Sequence, residues 1–180
     1  MKKAIIIPAI TILCAIGLLF GLTFGLQDFA NTRARVEHQN IMATLLPGSL
    51  HFTQVPYTGE DANIRSVHKD SEGFGYVIET VTAGYAGDIR MLIGVSKEGK
   101  VTGLVVREMS ETAGLGLNAL NDTNFLGQFL NTQGDAEVGT NVDAITGATV
   151  TSKAITRCVN SAVAYVTGAD IDSGATSWGG

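Results

Sequence analysis

The chain has 180 residues, a formal charge of −5, and 45% apolar against 16% charged residues, which suits one folded domain with an appendage and excludes a disordered polyelectrolyte. All 17 Asp and Glu follow Leu26, whereas two of the 12 Lys and Arg precede Ala4, so the body of the chain is acidic and nucleic-acid binding, which needs a basic face, is disfavoured. Two cysteines, Cys14 and Cys158, are too few for a disulfide framework, a zinc cluster or an iron–sulfur centre.

Ala4 to Leu26 contains no charged residue, and its only hydrophilic side chains are Thr11 and Thr23. At about 1.5 Å per residue this run predicts a helix roughly 34 Å long, enough to cross a bilayer core of about 30 Å. A cleaved signal peptide would have a shorter apolar core and a small-residue cleavage site, so the sequence predicts a retained single-pass anchor. Lys2 and Lys3 favour a cytoplasmic N-terminus and a following domain on the outer face, with Arg33 and Arg35 pulling against that orientation. Gly17, Gly21 and Gly25 recur every four residues, a stripe on which partner helices could pack.

From Gln27 to Leu50 the pattern of Val36, Ile41, Leu45 and Leu46 predicts a helix leading away from the anchor, stopped by Pro47 and Gly48. Residues 51–70 show no clear period and are expected to be loop with one short strand. His38, His51 and His68 have no metal-ligand spacing. Three strands are predicted at Gly75 to Val81, Ile89 to Ser96 and Val101 to Glu108, the last two paired through a tight turn at Gly99. A short helix is expected over Asn124 to Leu130. From Ser152 to Val166, the residues Ala154, Ile155, Cys158, Val159, Ala162, Val163 and Val166 form a wide apolar stripe that predicts an amphipathic helix ended by Gly168. Cys158 lies on that stripe, which makes it a packing residue. The fold expected is α+β, a small antiparallel sheet covered by helices. Its parts are a start and anchor (1–26), a stalk helix and linker (27–70), a domain (71–168) and a tail (169–180).

The stretch that carries chemistry is Asp143-Ala144-Ile145-Thr146-Gly147-Ala148-Thr149-Val150-Thr151-Ser152, just ahead of the amphipathic helix. Hydroxyls and small residues at a helix N-terminus suit a phosphate group, because unpaired N–H groups and the positive end of the helix dipole meet there. They also suit ordinary capping, and composition alone leaves both open. No nucleophile with its base, catalytic triad or carboxylate pair is visible, so the polypeptide is not expected to be an enzyme on its own.

Asp143 to Thr149 resembles the Asp-x-x-Ser/Thr-Gly-Ala-Thr acceptor sequence recognised by the flavin transferase that links FMN to a threonine through a phosphodiester. Gly99-Lys100-Val101-Thr102-Gly103 followed by Glu111-Thr112-Ala113-Gly114-Leu115-Gly116 is similar to the second hallmark of the same FMN-binding domains, with Ala113 where proline is usual. Phe125-Leu126-Gly127-Gln128-Phe129 also fits their pattern. With one anchor and one compact domain, the chain resembles the G-subunit family of Rnf-type ion-translocating electron-transport complexes. The C subunits of sodium-pumping NADH:quinone reductases are close relatives, generally longer.

The resemblance implies FMN joined covalently to Thr149, with Thr146, Gly147, Ala148, Thr151 and Ser152 around its phosphate. It places Glu111, Thr112, Leu115 and Gly116 near the isoalloxazine ring and gives Asp143 a part in transferase recognition. It implies an electron relay on the outer face of the cytoplasmic membrane. The expected partners are the other membrane subunits of a complex that moves Na+ or H+, and the transferase during maturation. A membrane-anchored sensory module holding FMN is the competing class. Asp170 to Thr176 repeats the acceptor spacing, but no helix follows Thr176, so Thr149 is the favoured acceptor.

Overall fold

The computed structural model describes residues 35–109 and 122–169, and positions 17, 32 and 33 besides. Two compact units divide the chain, Met1–Gln39 and Asn40–Gly180. In the first, the described residues are helical. The expected span over 4–26 lies outside the described residues apart from Gly17, and among the described residues no helix is long and apolar enough to cross a membrane.

The second unit opens with helix α1, residues 40–45. Strands β1 (Phe52–Val55), β2 (Ile64–Asp70), β3 (Gly75–Ala83), β4 (Asp88–Ser96) and β5 (Val101–Met109) follow, then helices α2 (Thr123–Gly127) and α3 (Thr149–Thr167). The strands form one antiparallel sheet in the order β1-β2-β3-β4-β5, so each pairs with its neighbour in sequence. Such a meander needs only short turns. The expected turn at Gly99 is present: Ser96 N–H donates to the Lys100 carbonyl at 2.8 Å, and Gly99 takes a φ of +80° that suits glycine.

The segment 51–70, expected as loop with one strand, instead supplies two strands of the sheet. Its period is obscured by an irregularity between Ile64 and Ser66 in the pairing of β2 with β3. The slip moves the buried positions from Ile64 to Val67, an odd spacing that no longer reads as alternation. Two helix bounds also differ. Helix α2 is the single turn Thr123–Gly127 rather than 124–130, and α3 begins at Thr149, three residues before the expected start.

The two faces of the sheet carry separate apolar clusters. On the inner face Ile78, Ile89, Met91, Ile93 and Val95 pack with the stripe of α3 and with Phe125 and Phe129. Cys158 is fully buried in this cluster, and burial pushes its thiol up to about 11, so it packs as a neutral group. On the outer face Met42, Leu45 and Leu46, at the end of α1 and just after it, pack against Phe52, Val77 and Leu92. Beside them on that face is a polar group: Ser66 Oγ donates to Glu79 Oε2 at 2.9 Å, and Arg90 Nε lies 3.7 Å from Glu79 Oε1.

The seat of α1 depends on two glycines. Gly94 and Gly103 face each other across β4 and β5, and the Leu45 carbonyl lies over them, accepting a 2.6 Å hydrogen bond from Thr102 Oγ1. A Cβ on Gly94 would collide with that carbonyl oxygen. Gly94→Ala should therefore lower the stability of the full chain by about 1 to 3 kcal/mol, as overpacking does. Gly127→Ala, where a Cβ meets nothing within 4 Å, should leave it unchanged. Denaturant unfolding of the detergent-solubilised chain reads both.

Candidate functional site

The acceptor stretch is built as a turn that feeds a helix. Ala148 N–H donates to the Ile145 carbonyl at 2.9 Å, and Gly147, at φ +79°, takes the third position of that four-residue turn. A positive φ at that position is what a type II turn requires, and glycine meets it without strain. Helix α3 then starts with Ala148 at its N-cap, which has no side chain able to cap the first turn. Helix geometry leaves the N–H groups of Thr149, Val150 and Thr151 without an intrahelical acceptor, and the first turn contains no acidic residue. The positive end of the helix is therefore not neutralised from within its own first turn.

The four hydroxyls of the stretch separate by environment. Thr146 and Thr149 are exposed, while Thr151 and Ser152 are buried to 2% and 0% exposure. Ser152 Oγ accepts from the Ile145 N–H at 3.1 Å and donates to the Ala148 carbonyl at 2.9 Å, so it locks the turn to the helix. Thr149 and Lys153, one turn apart, both lie on the exposed side.

A second brace comes from α2. Asp122 Oδ1 caps that helix by accepting from Asn124 N–H and Phe125 N–H at 3.0 and 3.1 Å. Phe125 and Phe129 meet edge to face in the core with centroids 5.3 Å apart. Between them, Gln128 turns outward and grips the backbone of Asp143: its Oε1 accepts from the Asp143 N–H at 2.7 Å, and its Nε2 donates to the Asp143 carbonyl at 3.4 Å. The sequence places Gln128 in a matching segment but gives no sign of this grip. The partners are fifteen residues apart, and only the fold joins them. Asn160 Nδ2 on α3 adds a 2.8 Å hydrogen bond to the Ala136 carbonyl, tying down the loop ahead of the stretch.

Of the residues expected at the site, Asp143, Thr146, Gly147, Ala148, Thr149, Thr151 and Ser152 thus share one turn and helix start. Glu111, Thr112, Leu115 and Gly116 lie outside the described residues, as does Thr176. The described chain leaves β5 at Met109, which pairs with Ile89, and resumes at Asp122 beside α2. A separate cleft of about 300 Å³, lined by Gln54, Val55, Pro56, Tyr57, Arg65 and Ser66, lies at the β1–β2 edge. Tyr57 meets Tyr165 at a centroid distance of 5.8 Å, which places that cleft toward the opposite end of α3 from Thr149.

Residues 84–164, from the β3–β4 turn into α3, match the family model described as FMN-binding domain. The chain is 32% identical over 167 residues to the G subunit of the proton-translocating ferredoxin:NAD(+) oxidoreductase complex of Clostridium ljungdahlii, covering 88% of each chain. It is 32% identical over 177 residues to the G subunit of the ion-translocating oxidoreductase complex of Methanosarcina acetivorans, covering 90% of this chain and 93% of that one. Among solved structures, Shewanella oneidensis NqrC aligns with 71% of this chain and 73% of its own, at 21% identity and a TM-score of 0.45.

The Ser152 lock can be tested by itself. Ser152→Ala removes the acceptor of the part-buried Ile145 N–H and should cost about 1 to 3 kcal/mol of stability in urea unfolding. An unchanged midpoint would mean that the turn holds its shape without this hydroxyl.

Proposed function

This chain belongs to the G-subunit family of ion-translocating oxidoreductase complexes, and from that premise we propose that it carries FMN on Thr149 and relays electrons within such a complex. The observation that carries the assignment is the separation of hydroxyls at the start of α3. Thr149 is exposed at the positive end of the helix, whereas the hydroxyls of Thr151 and Ser152 are turned inward. A phosphodiester on Thr149 Oγ would hold its anionic oxygens against the first-turn N–H groups, where the helix dipole favours negative charge.

The site residues divide the work. Gly147 and Ala148 leave room beside Thr149, Ser152 holds the turn, and Gln128 fixes the backbone of Asp143, the residue assigned to transferase recognition. Thr146, exposed three residues before Thr149, is available to the phosphate or the transferase. Glu111, Thr112, Leu115 and Gly116 are assigned to the ring. When bound, FMN supplies one- and two-electron chemistry, and the protein's part is to fix the ring, tune its potential and keep it in reach of neighbouring subunits.

The chain is further proposed to be held by the span at Ala4–Leu26 as a single-pass subunit of the cytoplasmic membrane, with its domain on the outer face. There it would work beside the other membrane subunits of a complex that moves H+ or Na+. The chain contributes the flavin carrier, and the complex supplies the electron donor, the acceptor and the ion path.

Mutation of the acceptor tests the reading. Thr149→Ala should give a folded, membrane-inserted chain whose band on a denaturing gel does not fluoresce under ultraviolet light, while Thr151→Ala and Thr176→Ala keep their fluorescence. A fluorescent Thr149→Ala band, or a dark Thr176→Ala band, would overturn the assignment.

A further inference from the structure

The turn between β3 and β4 carries an exposed aromatic residue outside the acceptor motif. Ala83 and Asp88 are the last paired residues of the two strands, and Gly84 N–H donates to the Gly87 carbonyl at 2.8 Å to close the turn. Three of its four residues, Gly84, Ala86 and Gly87, are small. The fourth is Tyr85, whose 73% exposure is the highest among the large hydrophobic side chains of the described residues. A single exposed aromatic is unremarked on most proteins, so its position has to decide what it does.

That position is the end of the sheet toward which the start of α3 points. Helix α3 runs antiparallel to β3: Tyr165 meets Tyr76 near the start of the strand, and Arg157 Nη2 donates to the Ala83 carbonyl at its end, at 3.3 Å. Thr149 lies eight residues before Arg157, about 12 Å further along the helix in the same direction. The exit of β5 is at the same end, since Met109 pairs with Ile89, the residue after Asp88. The family match also begins at this turn, at residue 84, and leaves β1, β2 and β3 outside it.

We propose that Tyr85 forms one wall of the flavin-holding site, its phenol ring lying against the isoalloxazine of the FMN carried on Thr149. This rests on the reading of Thr149 given above. The flavin ring is flat, aromatic and partly polar, and a tyrosine offers it a flat apolar face with a hydroxyl at the rim. The small residues around Tyr85 let the backbone come close without blocking the ring. The ribityl chain supplies the reach from Thr149.

Flavin fluorescence reads this contact without reference to turnover. A phenol or indole touching an excited flavin gives it an electron and takes it back, which quenches emission with no net chemistry, whereas a phenyl ring does not donate. The full chain in detergent should therefore emit severalfold more strongly as Tyr85→Phe than as wild type, and more weakly as Tyr85→Trp. After denaturation all three should emit equally, because the same flavin is attached to each and the wall is gone. Equal native emission from three flavin-bearing chains would overturn this inference alone. A wild-type band without fluorescence on a denaturing gel would overturn the FMN reading and this inference together.

Discussion

The phase of α3 is the constraint on which the site depends. Its inner face, Ala154, Ile155, Cys158, Val159, Ala162 and Val163, is buried against the sheet, and burial begins already at Thr151 and Ser152 in the first turn. Each turn of 3.6 residues fixes the direction of every side chain once a few are committed to the core. With 151, 152, 154 and 155 inward, 149, 150 and 153 must face out. Turning the helix to bury Thr149 would lift Ile155 and Val159 off the sheet, at about 1.5 to 3 kcal/mol for each large side chain returned to water. The core thus decides which hydroxyl of a hydroxyl-rich stretch is offered to solvent.

Strand β4, paired on both sides by β3 and β5, joins that core to the other side of the sheet. Met91, Ile93 and Val95 project toward α3, while Leu92 and Gly94 face the end of α1. Both faces are therefore occupied, and the strand reads as a nearly continuous apolar run, Ile89 to Val95 interrupted by Arg90 and Gly94. Gly94 and Gly103 make the outer face thin enough for the Leu45 backbone to sit directly on the strands. Helix α1 is in this way fastened to the same sheet that carries α3.

Much of this is legible in the sequence, for identifiable reasons. Strands β3, β4 and β5 carry β-branched runs with glycine at the Gly99 turn, and α3 has a stripe that no other element could bury, so both are visible from residue types alone. Strands β1 and β2 are not. One has four residues, and the other has its alternation broken by the Ile64/Ser66 irregularity. The start of α3 reads too late because its N-cap is Ala148, which gives no capping signal, while the hydroxyls that look like caps lie inside the helix. Asp143 to Thr149 is legible as a motif, but its supports are not. The grip of Gln128 on Asp143 and the place of Tyr85 at the same end of the sheet as α3's start are products of tertiary arrangement.

Peptide mapping of the purified native chain tests the central claim most directly. Lys and Arg positions make trypsin release residues 108–153 and 158–180 as separate peptides, so the two acceptor-like sequences part company before any fragmentation. The account predicts an FMN mass addition, less water, on 108–153, with fragment ions that place it on Thr149. The same addition on 158–180, or on Thr146 or Thr151 within the first peptide, would contradict it.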